Sequence, residues 1–187
     1  MSKELNKHHI SIADIITFLR IVGALILFSV KTLSISFLVV YFIAGLTDVI
    51  DGYIARKTRT TSDLGAKLDS IADMIFYLVL IILLFPNLYN ILPNIIWFFI
   101  IIVFIIRIAN IIIGFLKFHQ FVAIHTYLNK IIGVMVFLIP FALITKYAII
   151  FCFITTILAI TASLEELLII IIFKDYQPNK KAIFIID

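Results

Sequence analysis

The sequence predicts an all-α membrane protein of six transmembrane helices with both termini cytoplasmic. Three observations carry that prediction. Hydrophobic residues make up 64% of the chain, against roughly 45–50% in soluble domains, and mean hydropathy is +1.22. The apolar runs reach the ~20 residues that a helix needs to cross a bilayer. Lys and Arg are distributed unevenly among the connections between those runs, as positive-inside topology requires.

The runs follow in order. The first covers about Ile12 to Val30 and stops at Lys31, and the second covers about Ile35 to Ala55. The third starts near Gly65 and stops at Phe85-Pro86, where a turn rich in Asn and Pro is expected (Pro86, Asn87, Asn90, Pro93, Asn94). The fourth covers about Ile95 to Phe118 with Arg107 inside it, and the fifth about Thr126 to Thr145, with a kink expected at Pro140. The sixth covers about Ala148 to Phe173. Ile and Val abound, which favours strands, but lipid offers the backbone no partners, so segments of this length must be helices. One domain over residues 1–187 is expected, with 1–11 a juxtamembrane segment that lies along the membrane surface and 174–187 a polar tail.

No cleavage-site pattern follows the first run, so no removable signal peptide is expected. Cys152 is the single cysteine, which excludes an internal disulfide. The net charge of +4 reports topology, because the basic residues flank apolar runs; no nucleic-acid partner is expected. One side collects Lys3, Lys7, Arg56, Lys57, Arg59, Lys67, Lys117, Lys130, Lys174, Lys180 and Lys181, and the other only Lys31 and Lys146. The rich side is expected to face the cytoplasm, with the chain in the cell membrane and the Asp motif opening to the cytoplasm.

Carboxylates are expensive in lipid and mark function by default. Four are gathered here: Asp48 and Asp51, followed by Gly52, Ala55 and Arg56, then Gly65, Asp69 and Asp73. Asp48, Asp51, Gly52 and Ala55 share one helix face at i, i+3, i+4 and i+7; Gly65, Asp69 and Asp73 share another at i, i+4 and i+8. The short polar connection from Lys57 to Leu64 makes the two helices antiparallel neighbours whose Asp faces can meet. Four unneutralised carboxylates repel, and a divalent cation removes the problem. An all-oxygen ligand set selects hard ions such as Mg²⁺, Mn²⁺ or Ca²⁺, and Mg²⁺ commonly joins a few carboxylates to a substrate's phosphates. At 1.5 Å per residue, Asp48 and Asp73 each lie about 12 Å inside their helix ends, and Arg20 and Arg107 lie at about 12–15 Å. A shared depth describes a polar cavity with an open mouth.

The frame D-x2-D-G-x2-A-R, eight residues, then G-x3-D-x3-D resembles the signature of the CDP-alcohol phosphatidyltransferases, and all eight fixed positions match. The resemblance implies an enzyme that moves a phosphatidyl group from a CDP-linked lipid to an alcohol and releases CMP. It implies Asp48, Asp51, Asp69 and Asp73 as metal ligands. It places Asp48, Gly52, Ala55, Arg56, Gly65 and Asp69 around the CMP part of the donor, and makes Asp73 the general base. It further implies a homodimer.

The first helix carries Asp14, Thr17 and Arg20, similar to the N-x2-T-x2-R element of many members, with Asp14 in place of Asn. Arg20 pairs with a carboxylate or contacts substrate. With Thr17, Arg107 and Lys130 it is assigned to acceptor binding, and a basic pocket of this kind suits an acceptor that carries a phosphate, glycerol 3-phosphate first. Serine or inositol phosphate are the alternatives within the family. Lys117 is read as a membrane-edge anchor, and Glu165 and Glu166 as balancing nearby cations. From other classes, a divalent-cation transporter would use the Asp residues as pore ligands but has no use for the glycines and Arg56. An intramembrane prenyltransferase would need Asp motifs set further apart.

Overall fold

The computed structural model describes residues 12–58, 63–120, 124 and 126–173; of residues 12–14, 48–49, 51–58, 63–64 and 66–67 the backbone alone is described. Six α-helices and no strands occur among the described residues: α1 (Ile12–Ile26), α2 (Ile35–Thr58), α3 (Asp63–Ile91), α4 (Asn94–Phe118), α5 (Tyr127–Leu143) and α6 (Ala148–Ile172). Three are long and apolar enough to cross a membrane, namely α3 from Leu68, α4 and α6. The expected surface helix before Ile12 and the polar tail after Phe173 lie outside the described residues.

The helices form two compact units, up to Asn87 and from Leu88. In the first, α1 runs on into a 3-10 turn at Leu27–Ser29. The chain then reverses tightly. Ser34 N–H donates to Lys31 O at 3.1 Å, and Leu33 takes φ 62°, a left-handed value that disfavours a branched side chain. Ser34 Oγ accepts from Phe37 N–H at 3.2 Å and so caps the start of α2. Small residues let α1 and α2 approach closely: a Cβ built on Gly23 would lie 3.1 Å from the Cβ of Ala44. In lipid, where apolar surface gains nothing by leaving one hydrocarbon for another, such close approach is a main source of helix association. Phe37, Tyr41 and Phe76 stack in sequence at centroid distances of 6.4 and 5.8 Å, joining α2 to α3.

The sequence expectation fails at Pro86. The third helix does not stop there but continues to Ile91. Proline removes one N–H and crowds the preceding turn. Here Asn87 Nδ2 donates to Leu83 O at 3.3 Å, supplying a bond beside the interruption. Beyond it, Leu88 and Ile91 pack against Leu92, Ile96 and Cys152, and this apolar packing favours continuing the helix. The reversal falls instead at Leu92-Pro93.

In the second unit α4 and α6 run parallel, because α5 returns the chain between them. Asn110 Nδ2 donates to Ser163 O at 3.0 Å, and Lys117 Nζ donates to Ile170 O at 2.8 Å. Both pairs are 53 residues apart, the constant offset of a parallel register. Thr126 Oγ1 accepts from Asn129 N–H at 3.2 Å and starts α5. His119 closes α4 in a left-handed conformation, its N–H donating to Phe115 O at 2.9 Å. Pro140 lies within α5 and is fully buried.

Candidate active site

Within the first unit, α1 and α3 bring a cation onto two of the motif's carboxylates. Asp69 and Asp73 stand one turn apart on α3, so their side chains share a face. Arg20 reaches that face from α1. Its Nη1 donates to Asp69 Oδ1 at 2.9 Å and also to Asp73 Oδ1. Its Nε lies 3.4 Å from Thr47 Oγ1, and that hydroxyl donates to Ala44 O at 2.6 Å. Arg20 is fully buried, while the Asp69 and Asp73 side chains are 43% and 35% exposed. The guanidinium is therefore the closed inner wall of the site, and the carboxylates face its open side. A buried Arg stripped of its partners costs several kcal/mol, so this pairing decides how the inner half of α1 sits. Thr17, one turn before Arg20, is also buried.

Five motif residues, Asp48, Asp51, Gly52, Ala55 and Arg56, lie on the helical backbone of α2. Their side chains are outside the described residues, as is that of Asp14. Gly65 is half-buried in the first turn of α3. Among the described residues no three His, Cys, Asp or Glu side chains gather as a metal site. The donors that are described suit a hard divalent ion all the same. Both are carboxylates, and each already offers one oxygen to the same cationic nitrogen.

The acceptor-side residues were expected to form one basic pocket. In the second unit Arg107, with its side chain 36% exposed, is paired. Nη1 donates to Glu166 Oε2, and Nη2 donates to Asn129 Oδ1 at 2.7 Å. Asn129 Nδ2 donates in turn to Ile124 O at 2.9 Å and approaches Glu166 Oε2 at 3.4 Å. One network thus ties α4, the start of α5 and α6. Glu166 is buried and balances a basic residue, as the sequence suggested. Lys130 is exposed and lies 5.9 Å from the centre of the Tyr127 ring. Lys117 does more than anchor. Its ammonium donates to Ile170 O and Ile171 O, both at 2.8 Å, where α6 leaves carbonyls unpaired.

Sequence reasoning missed Thr47 and Asn129. Thr47 directly precedes Asp48, and Asn129 directly precedes Lys130, so each was overshadowed by a charged neighbour. Both are short polar side chains that orient an arginine, a role with no spacing signature of its own.

The family model for CDP-alcohol phosphatidyltransferases matches residues 10–171. Over 68 residues the chain is 41% identical to the CDP-diacylglycerol–serine O-phosphatidyltransferase of Methanocaldococcus jannaschii, covering 36% of this chain and 31% of that protein. Over 45 residues it is 44% identical to the CDP-diacylglycerol–glycerol-3-phosphate 3-phosphatidyltransferase of Haemophilus influenzae, covering 24% of each. A second glycerol-3-phosphate 3-phosphatidyltransferase, from Arabidopsis thaliana, is 47% identical over 45 residues, 24% of this chain and 19% of that protein. The chain thus spans less than a third of the length of these relatives in each match. No solved structure matches. The eight-position frame, the all-helical fold and a family match from residue 10 to residue 171 converge, and the chain belongs to the CDP-alcohol phosphatidyltransferase family.

Proposed function

We propose that this protein is a membrane-embedded phosphatidyltransferase that moves the phosphatidyl group of a CDP-linked lipid to a small alcohol. The observation that carries the reading is the convergence of Asp69 and Asp73 on one cationic centre at the open side of Arg20. The acceptor oxygen attacks the β-phosphorus, the bond from that phosphorus to CMP breaks, and CMP leaves with the bonding pair. Asp73 takes the hydroxyl proton, a contribution of about 10²–10⁴ in rate for a placed base. Asp48, Gly52, Ala55, Arg56, Gly65 and Asp69 surround the CMP part. Asp48, Asp51, Asp69 and Asp73 would hold Mg²⁺ or Mn²⁺, which supplies charge neutralisation for the phosphates when bound. All six helices cross the membrane, as one domain, with the Asp motif opening to the cytoplasm, and two copies form a homodimer.

Glycerol 3-phosphate is the favoured acceptor. Thr17 and Arg20 in the first unit, and Arg107 and Lys130 in the second, are each assigned to the acceptor, and the named activities of the Haemophilus and Arabidopsis relatives support glycerol 3-phosphate. One observation favours serine as the second reading: Glu166 already answers the charge of Arg107, leaving less for a phosphate. The archaeal relative is named for that acceptor. A panel decides. Purified protein receives labelled CDP-diacylglycerol, Mg²⁺ or Mn²⁺, and glycerol 3-phosphate, serine or inositol phosphate in turn. Product is expected with glycerol 3-phosphate; product with serine alone selects the second reading, and CMP release with none of them removes the enzyme reading.

A further inference from the structure

We infer that Glu166 and Asn129 determine acceptor specificity: they hold Arg107 in place, and their charge sets how strongly it attracts an acceptor that carries a phosphate. The inference rests on the assignment of Arg107 to the acceptor made above and goes beyond it by naming what tunes that arginine. Two observations carry it. Arg107 Nη1 donates to Glu166 Oε2, and Nη2 donates to Asn129 Oδ1 at 2.7 Å. These bonds use two of the five N–H groups of a guanidinium, and among the described residues the others have no protein acceptor. The second observation is an asymmetry of burial. Glu166 is buried while Arg107 is part-exposed, so an incoming anion reaches the cation of the pair first.

A planar guanidinium held at both terminal nitrogens has a fixed orientation. Its unused donors can therefore meet an oxyanion without Arg107 leaving Glu166 or Asn129. The two partners differ in charge. A phosphate monoester carries about −1.5 to −2 at neutral pH. Such an anion is attracted by Arg107 and repelled by the Glu166 carboxylate behind it, across an interior that screens poorly. Glu166 thus orients the group that binds phosphate and weakens its pull. Asn129 orients the same group without adding charge, and is itself anchored by Nδ2 donating to Ile124 O at 2.9 Å. The frame around the network does not depend on these charges. Asn110 on α4 donates to Ser163 O on α6 at 3.0 Å, and both residues are buried one turn from the pair. A change of charge at Glu166 therefore leaves a tie between the two helices in place.

Glu166→Gln and Asn129→Asp change the charge with little change of shape, since each keeps an oxygen for Arg107. Full-length protein in detergent receives CDP-diacylglycerol and Mg²⁺ or Mn²⁺. The apparent affinity for glycerol 3-phosphate is read as KM for CMP release, or as a competitive inhibition constant if another acceptor is the one turned over. Glu166→Gln should bind glycerol 3-phosphate at least about fivefold more tightly than the parent, and turnover should move by less than that. Asn129→Asp should bind it at least about fivefold more weakly. The double variant restores the net charge of the network and should return to within about threefold of the parent. A purely structural role for Glu166 predicts the opposite sign. Equal or weaker binding in Glu166→Gln therefore overturns the inference, as does a double variant no better than Asn129→Asp alone. Arg107→Met separates the inference from the reading beneath it. Unchanged affinity for glycerol 3-phosphate in that variant, with CMP still released, takes Arg107 off the acceptor side and overturns the inference while phosphatidyl transfer stands. No CMP from the parent with any acceptor removes both.

Discussion

Removing Arg107 tests whether the second unit is held by a polar network or merely decorated with one. Glu166 is 8% exposed at its side chain and Arg107 36%. Arg107→Met leaves the carboxylate buried with, among the described residues, Asn129 Nδ2 at 3.4 Å. Taking one partner from a buried pair costs about 3–5 kcal/mol. Arg107 is more than a third exposed, so screening lowers the figure to about 2–3 kcal/mol. For a chain of this size that corresponds to a fall of about 5–10 °C in Tm. Glu166→Gln removes the charge that needs an answer, so the double variant should regain most of the loss and end within about 1 kcal/mol of Glu166→Gln alone. Thermal unfolding in one detergent, across all four proteins, gives the coupling energy directly. Additivity within about 0.5 kcal/mol would show that the pair does not interact, and the network reading would fail. The same cycle separates structure from function. If Arg107 also contacts the acceptor, KM for the acceptor rises in Arg107→Met even in the Glu166→Gln background, where stability no longer differs.

Other expectations follow from single contacts. Asp73→Asn should abolish turnover while CDP-lipid binding, measured by equilibrium filtration, largely survives; intact turnover would remove Asp73 from the role of base. Lys117→Met should cost about 1–3 kcal/mol, because two carbonyls of the last turn of α6 lose a charged donor. Hydrogen exchange should rise in that turn first, and unchanged protection there would count against the cap. Gly23→Ala should destabilise by about 1–3 kcal/mol, since the new methyl meets Ala44 at 3.1 Å on a backbone that cannot swing aside. Gly133→Ala has nothing within 4 Å and should stabilise by about 0.5–1 kcal/mol through helix propensity. Equal effects at the two glycines in thermal unfolding would refute the close approach of α1 and α2.

Helix count and helix ends were mostly legible in the chain, because lipid leaves so few choices. A run such as Ile95 to Phe118 has to be one helix, and α4 is Asn94–Phe118. Pro86 is a local helix-breaking signal that the packing around it overrides. Its cost is real, yet the apolar residues beyond still gain by packing. The shared face of Asp69 and Asp73 was legible for a different reason: helical spacing alone puts them there. Who answers those charges was not. Asp14 or Asp48 was the expected partner of Arg20 by position, and their side chains lie outside the described residues; its pairing with Asp69 and Asp73 needed its three-dimensional reach. Arg107 illustrates the same limit, since its partners Asn129 and Glu166 lie 22 and 59 residues away.

The central claim, that the Asp frame serves phosphatidyl transfer, is tested most directly by CMP release. Protein reconstituted in liposomes with CDP-diacylglycerol should liberate CMP only when both a divalent cation and an acceptor alcohol are supplied, and Asp73→Asn should liberate none. Cation flux across the liposome membrane with no CMP under any combination would contradict the account and favour a transporter.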